Sequence, residues 1–506
     1  MNVALPPALM YDSAESRAIL STRRTISIKP TTGTSVGNSS TTASTSDIVQ
    51  FKLPNSGVLA NCYLRYTING AITAGADATD SFAADNLVCD PYAPSAAPIR
   101  RLVVASSDGT EITNVNNYHS YCSLMARYKN SKEWSETYGA NQEGCPGEIV
   151  YDDLDHVAKN NTDVDPTNAS ATAYEADKVG VGFHKDFEMN AKRLNRDWKS
   201  DNTLVHKFQA GILDQKNEAM LPLALLGSGL NLYLHLADKD EVFRATPNQS
   251  SVGVAGSALD CHPAVGAAVS NYHLKDIELV CDLIFYPPEV MASIQEKLCG
   301  GLKVRCDRIR TQTNAVSQES NVVILNEHAR SVNSVFFGIT NKNDKNNGRR
   351  EQNEYYKIGK AGASAVKEFQ LQVGSENVPT NPCKFGSQSW VELEKAMKAV
   401  YDEDFKFGNQ VSQQAYNKTH NADSANPGSG GAGATPGSAI MGLNLKSHPE
   451  IPSIMSGKSA SSGSIPISLT LDYEGSANLG DNELQSWVVS DQIVEFLADG
   501  SALVHK

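Results

Sequence analysis

Charge is sparse in this chain: Asp, Glu, Lys and Arg together make up 20% of its 506 residues. What charge there is leans acidic, 57 carboxylates against 44 Lys and Arg, a net of −13. A protein that coats nucleic acid neutralises phosphates with Lys and Arg, so this balance argues against extensive direct nucleic-acid binding. Tryptophan is scarce, with four residues, too few for the aromatic platforms of a sugar-binding surface. The nine cysteines are odd in number and form no C-x-x-C pair. Cys62, Cys281 and Cys306 fall inside apolar segments, where cysteine behaves as a small hydrophobe. That usage suits a reducing compartment and no disulfide scaffold. No apolar run approaches the roughly 20 residues of a membrane-spanning helix. The opening MNVALPPALMYDS has no basic start and two prolines, so no signal peptide is expected.

Catalytic signatures are missing as well. There is no G-x-S-x-G; the Gly227–Gly229 stretch reads as a turn before a strand. The SGKS at 456–459 has Pro452 where a phosphate loop needs its first glycine. His119, His235, His262 and His273 lack ligand spacing, and there is no H-E-x-x-H. Asp152, Asp153 and Asp155 cluster, but without the glycine and distal glutamate of a calcium loop they read as a solvated acidic segment. Glu278 and Asp282 share one face of a strand as a glycosidase pair would, and as alternating surface charges also do. Phe336 and Phe337 read as core. The expectation is a protein with no catalytic residue, no cofactor and no metal.

Gly, Ser, Thr and Asn are abundant, which favours strands and turns over long helices. One pattern occurs twice. IRRLVVASSDGTEI (99–112) runs into NNYHSYCSLMARY (116–128), and VKEFQLQVGSENVP (366–379) runs into SQSWVELEKAMKAVY (387–401). Each reads as an alternating strand, a turn and an amphipathic helix. Each half closes on a long alternating strand, 272–286 and 484–500. About sixteen strand candidates fall into two groups of about eight.

The earlier segments include two strands in 47–70 joined by a Pro-Asn-Ser-Gly turn, then strands at 206–214 and 229–243. Pro287–Pro288 start, and Gly300–Gly301 stop, a short linking helix. Strands at 302–316, 321–341 and 463–475 and a hairpin at 498–505 follow. Polar stretches at 139–178, 341–358 and 417–439 read as surface insertions, the last as low-complexity loop. The expected organisation is an N-terminal arm over 1–46, a first β unit over 47–290, the linking helix at 291–301 and a second unit over 302–506. The arm is slightly basic through Arg17, Arg23, Arg24 and Lys29. The fold class is all-β: two tandem eight-stranded antiparallel jelly rolls with short helices in the loops.

In segment order the chain resembles the double jelly-roll major capsid proteins. That lineage spans tailless bacteriophages, adenovirus hexons, virophages, polinton-like viruses and large nucleocytoplasmic DNA viruses. FKLPNSGVLANCYLRYTIN, IRRLVVASSDGTEITNVNNYHSYCSLMARY, YHLKDIELVCDLIFYPPEV, SVFFGIT with KEFQLQVGSENVP and WVELEKAMKAV, and VVSDQIVEFLADGSALV carry the resemblance. It covers most of the chain outside the three insertions. The resemblance implies a capsid protein in the virion shell of a dsDNA virus, assembled as a pseudo-hexameric homotrimer. Its partners would be itself, neighbouring capsomers, and minor capsid and penton proteins. The insertions would form outward towers, and the arm would reach neighbours or an internal membrane. A carbohydrate-binding or carbohydrate-active β-sandwich is the competing reading.

Overall fold

A computed structural model describes residues 21–32, 47–73, 87–145 apart from 91, and 198–245 apart from 215–219 and 227–228. It continues over 268–341 apart from 298–300, then 353, 355, 365–400, 411, 416, 438–448, 455–460 and 466–505 apart from 477–478, 481 and 498–500.

Alternation of apolar and polar residues decides the local structure. In LNLYLHL the four leucines are buried while Asn231, Tyr233 and His235 stay half-exposed; ISLTLDY repeats this. A period of two puts such residues on one face of a strand. The first roll contains β1 (Thr22–Ile28), β2 (Ile48–Lys52), β3 (Val58–Thr73), the short β4 (Leu87–Cys89), β5 (Ile99–Ser106) and β6 (Glu111–Asn116). It continues with β7 (Asn202–Lys207), β8 (Leu230–Leu236), the short β9 (Phe243–Ala245) and β10 (Ala268–Phe285). The second contains β11 (Leu302–Ala315), β12 (Ser320–Leu325), β13 (Val332–Asn341), β14 (Val366–Val373) and β15 (Glu376–Lys384). It ends with β16 (Ile440–Asn444), β17 (Ile467–Tyr473), β18 (Asn482–Phe496) and β19 (Ala502–His505).

The first roll is two four-stranded sheets, β1-β10-β3-β7 and β2-β8-β5-β6, with β4 and β9 paired beside them. The second is β11-β18-β13-β16, extended by β19 on β18, and β12-β17-β14-β15. With β4, β9 and β19 set aside, the eight strands of each roll have the same wiring: first-eighth-third-sixth faces second-seventh-fourth-fifth. All these pairings are antiparallel. This is a jelly roll, made twice. Sixteen strands build the rolls and three are additions, nineteen among the described residues.

Three longer helices connect these strands. α1 (Tyr118–Lys129) and α2 (Pro288–Lys297) lie after β6 and β10, and α3 (Ser387–Val400) lies after β15. α1 and α3 occupy the same place in the two rolls, between the fifth and sixth strands.

Several expectations are corrected. The first roll begins at Thr22, not at 47: β1 pairs along its whole length with β10, Thr22 opposite Phe285 and Ile28 opposite Leu279. Without it the roll has seven strands. The repeated unit is strand, turn, strand, helix, because β6 and β15 each return against the preceding strand before the helix starts. β2 and β3 do not pair; the turn ending in Gly57, at φ +70°, carries the chain from one sheet to the other. The strand expected over 206–214 ends at Lys207 and gives way to a turn of 3-10 helix at Gly211–Leu213. Of the insertion at 139–178, residues 139–145 close a π-helical segment, Ser135–Glu143, with Cys145 buried; the rest lies outside the described residues. α1 is not amphipathic: its residues from Tyr118 to Tyr128 are all buried. That last departure locates the site.

Candidate functional site: the joint between the two rolls

A helix buried on all sides must have neighbours on all sides. α1 starts abruptly because Asn117, at φ +47°, turns the chain out of β6. Its first turn is fixed to the first roll: the Tyr118 hydroxyl meets His206 Nε2 at 2.9 Å, and His206 Nδ1 meets Ser95 Oγ at 3.1 Å. Burial pushes the His206 imidazole down to about 3, so it stays neutral there.

The last turn of α1 belongs as much to the second roll. Arg127 is fully buried, with its guanidinium carbon 4.3 Å from the ring centre of Tyr92 and 5.4 Å from that of Tyr355. Nη1 donates to Ser438 Oγ at 3.2 Å and Nη2 to the Asn353 carbonyl. The Tyr128 hydroxyl donates to the Ser438 carbonyl at 2.6 Å, and Ser120 Oγ to Asn353 Oδ1 at 2.8 Å. Asn353 Nδ2 in turn donates to Asp90, whose carboxylate also accepts the Tyr92 amide at 2.8 Å. A buried cation thus sits between two aromatic faces, with a carboxylate one residue further along the hydrogen-bond chain. Such an arrangement offsets the cost of taking the charge out of water.

Around this polar centre the packing is apolar. Tyr355 donates to Gln485 at 3.1 Å and meets Trp487 edge-on at 5.5 Å. It lies over Gly338, where a Cβ would come within 2.5 Å of the ring, so β13 needs glycine at that point. α1 and α3 meet through Tyr128 and Trp390, at 6.0 Å and 70°. One hydrophobic cluster runs from Leu64 and Tyr121 of the first roll to Phe336, Leu393 and Trp487 of the second. A separate cluster around Phe337, Leu371 and Leu469 fills the second roll. Phe336 and Phe337, expected as core, therefore serve different cores on opposite faces of β13.

The strand edges join too. β6 lies along β11: Gln492 Nε2 donates to the Ile112 carbonyl at 2.6 Å, and Thr311 Oγ1 to the Asn116 carbonyl at 2.9 Å. The Ala502 amide donates to Asp108 at 3.2 Å. Within the second roll, fully buried Asp491 accepts from Arg305 at 2.8 Å, Ser331 at 2.7 Å and Asn333 at 3.0 Å.

Among the described residues, those singled out from the sequence are not gathered into a reaction centre. Glu278 and Asp282 lie on β10 in separate ion pairs, with Arg65 at 3.8 Å and Arg23 at 2.6 Å. A hydrogen bond from Thr25, and then Arg23, hold the Asp282 carboxyl below its ordinary range, the reverse of what a general acid needs. His119 is buried in α1, His235 lies on β8 and His273 on β10. His262 and Asp152, Asp153 and Asp155 lie outside the described residues. Among the described residues no group of three or more His, Cys, Asp or Glu is placed to hold a metal ion. The SGKS segment is a clip: Lys458 bridges Val332, and the Gly457 amide donates to Ser331 Oγ at 3.0 Å. Cys62, Cys281 and Cys306 are buried. No helix among the described residues is long and apolar enough to cross a membrane.

The sequence reading missed Asn353, Tyr355 and Ser438. They sit in the stretches 341–358 and 417–439 that composition marked as surface insertion. The one signal was a Tyr-Tyr pair in an otherwise polar run.

No family model and no curated protein matches this chain. Solved structures do. The Faustovirus major capsid protein superposes with a TM-score of 0.54 at 10% identity, over 96% of this chain and 92% of that one. PBCV-1 VP54, fitted into a reconstruction of the virophage Sputnik, gives 0.52 at 12% identity over 97% and 98%. The mavirus major capsid protein gives 0.50 at 10% identity over 100% and 95%. In wiring, and over nearly its whole length, this chain has the double jelly-roll fold of these viral major capsid proteins.

Proposed function

We propose that this chain is a structural capsid protein that builds the icosahedral shell of a dsDNA virus from homotrimeric capsomers. The observation that carries the reading is the duplication itself: two rolls of identical wiring, welded by a buried joint into one tile. Three such chains supply six equivalent rolls around an axis, a pseudo-hexagonal outline suited to covering a surface. A three-fold assembly uses a head-to-tail interface that closes after three copies. The net charge of −13 fits a tile that leaves genome binding to other components and whose free copies repel one another weakly. Further partners would be neighbouring capsomers and minor and penton proteins, with the residues before β1 directed to neighbours or an internal membrane. The role is structural and not catalytic. The glycan reading has no comparable support, since its carboxylate pair is ion-paired residue by residue.

Light scattering on the purified chain, with electron microscopy of the same sample, tests this. The expected mass is about 163 kDa, three times 54.4 kDa, with hexagonal particles in the images. A species of 54.4 kDa at all concentrations overturns the reading.

A further inference from the structure

The two rolls share their wiring but not their burial. Within the chain, the edge strand β6 of the first roll is closed off by the edge strand β11 of the second. Ile112, Thr113 and Val115 of β6 are buried, and β18 beside β11 is buried without interruption from Leu484 to Gln492. The equivalent of β6 in the second roll is β15, also an edge, and of its nine residues only Cys383 is buried. The equivalent of β11 in the first roll is β1, again an edge, with no buried residue at all. Each chain therefore contains one completed contact of this kind and the two open halves of another, on opposite rolls.

Open strand edges are templates for association unless something occupies or blunts them. β15 carries Pro379 and Pro382, which donate no hydrogen bond and so rule out a continuous ladder. The completed contact is not a ladder either: side chains of the second roll reach backbone carbonyls of β6. Charge on the two halves is mixed: Arg24 and Lys29 are exposed on or just after β1, while β15 carries Glu376, paired with Lys458, and the exposed Lys384.

We propose that the β14–β15 hairpin of one copy docks along β1 of a second copy, repeating between chains the contact that β5–β6 makes with β11 within the chain. This rests on the trimeric reading above and names its surface. The interface is heterologous: each copy offers the hairpin from its second roll and the edge from its first, and the ring closes when the last hairpin finds the first edge.

The test uses the full chain and two blocked variants. Asn377→Lys with Thr380→Lys sets cations on the hairpin against Arg23 and Arg24. Thr22→Glu with Ser27→Glu sets anions on the edge against Glu376. All four positions are exposed, so unchanged thermal melting is expected, and Thr380→Lys alone serves as a milder form of the first variant. Each variant alone is expected at 54.4 kDa by light scattering, and the equimolar mixture at about 109 kDa or more, at least twice 54.4 kDa, because unlike copies meet through an unmodified hairpin and edge and through a lysine hairpin facing a glutamate edge, while like copies stay blocked. Variants that keep the mass of the unmodified oligomer overturn this surface and leave the trimer standing. Monomeric variants whose mixture does not dimerise overturn the head-to-tail arrangement. An unmodified chain that is itself monomeric overturns both.

Discussion

Replacing Arg127 by alanine removes the centre of the joint. The side chain is fully buried, donates to Ser438 and to the Asn353 carbonyl, and lies between Tyr92 and Tyr355. Two hydrogen bonds from a charged donor contribute about 1.5–3 kcal/mol each. The two aromatic contacts add about 0.5–2 kcal/mol each. Against this stands the desolvation of the guanidinium, which costs several kcal/mol. Alanine also leaves an unfilled volume, the Asn353 carbonyl short of a donor and Asp90 without a nearby cation. Losing one member of a buried charged network in this way costs about 3–5 kcal/mol, the net expected here. The distribution of that loss matters as much as its size, because Arg127 contacts both rolls. Urea unfolding should follow a single transition in the unmodified chain and two in Arg127→Ala, as the rolls uncouple. Arg127→Lys should fall between, since an ammonium cannot make the planar, forked contact. Intrinsic fluorescence reads the transition directly, because Trp390 and Trp487 both lie at the joint. A midpoint shift worth less than about 1 kcal/mol, with the single transition intact, would refute the claim that this residue couples the rolls.

Leu279 is fully buried inside the first roll, so Leu279→Asp should abolish soluble protein by burying an unpaired carboxylate, whereas Val322→Asp on the exposed face of β12 should leave the urea midpoint unchanged within about 0.5 kcal/mol. Gly211, at φ +71°, has no room for a Cβ against Thr113, so Gly211→Ala should lower stability by about 2–4 kcal/mol in the same assay. Glu143 is raised to about 7 by burial, with Lys207 and Lys129 opposing. Its folded form keeps a proton that the unfolded form releases near the ordinary carboxylate value. Stability is therefore lost as pH rises from about 4.5 to 7, and Glu143→Gln should gain up to about 3 kcal/mol over the unmodified chain at pH 8 and little at pH 4. His206, lowered to about 3, acts in the opposite sense: its contribution is complete above about 6.5 and is lost as pH falls toward 3, so His206→Gln should flatten the acid limb of the stability curve.

Most of the fold was legible because the strands obey a simple rule. β8 and β17 alternate over their whole length, and each long closing strand could be seen to end a unit. The helix positions were legible too, since α1 and α3 begin within two residues of the expected starts. β1 falls inside the expected arm, where RTISIKP reads as no more than a β-like patch, because Thr-Arg-Arg-Thr has no buried side chain; an edge strand exposed along its length does not look like core. The joint was illegible for a related reason. Tyr92, Asn353, Tyr355 and Ser438 come from segments far apart in the chain, and the last three are short anchors inside polar stretches. Pattern reading averages over a window and discards single anchoring residues. α1 hid its burial: Tyr118, Tyr121, Leu124, Met125 and Tyr128 share one side of the helix while His119, Ser120, Ser123 and Arg127 share the other, the pattern of a helix with a solvent face.

The spacing of the Arg127 contacts has a consequence for synthesis. Its partners at Asn353 and Ser438 are 226 and 311 residues downstream. On a growing chain the first roll is therefore finished long before the groups that close over its helix exist. Until then Arg127 lacks the Asn353 and Ser438 groups that it donates to, and Tyr128 lacks the Ser438 carbonyl. Maturation is thereby ordered: the amino-terminal barrel waits as a socket, and the late strands, arriving last, both complete the second barrel and seal the first.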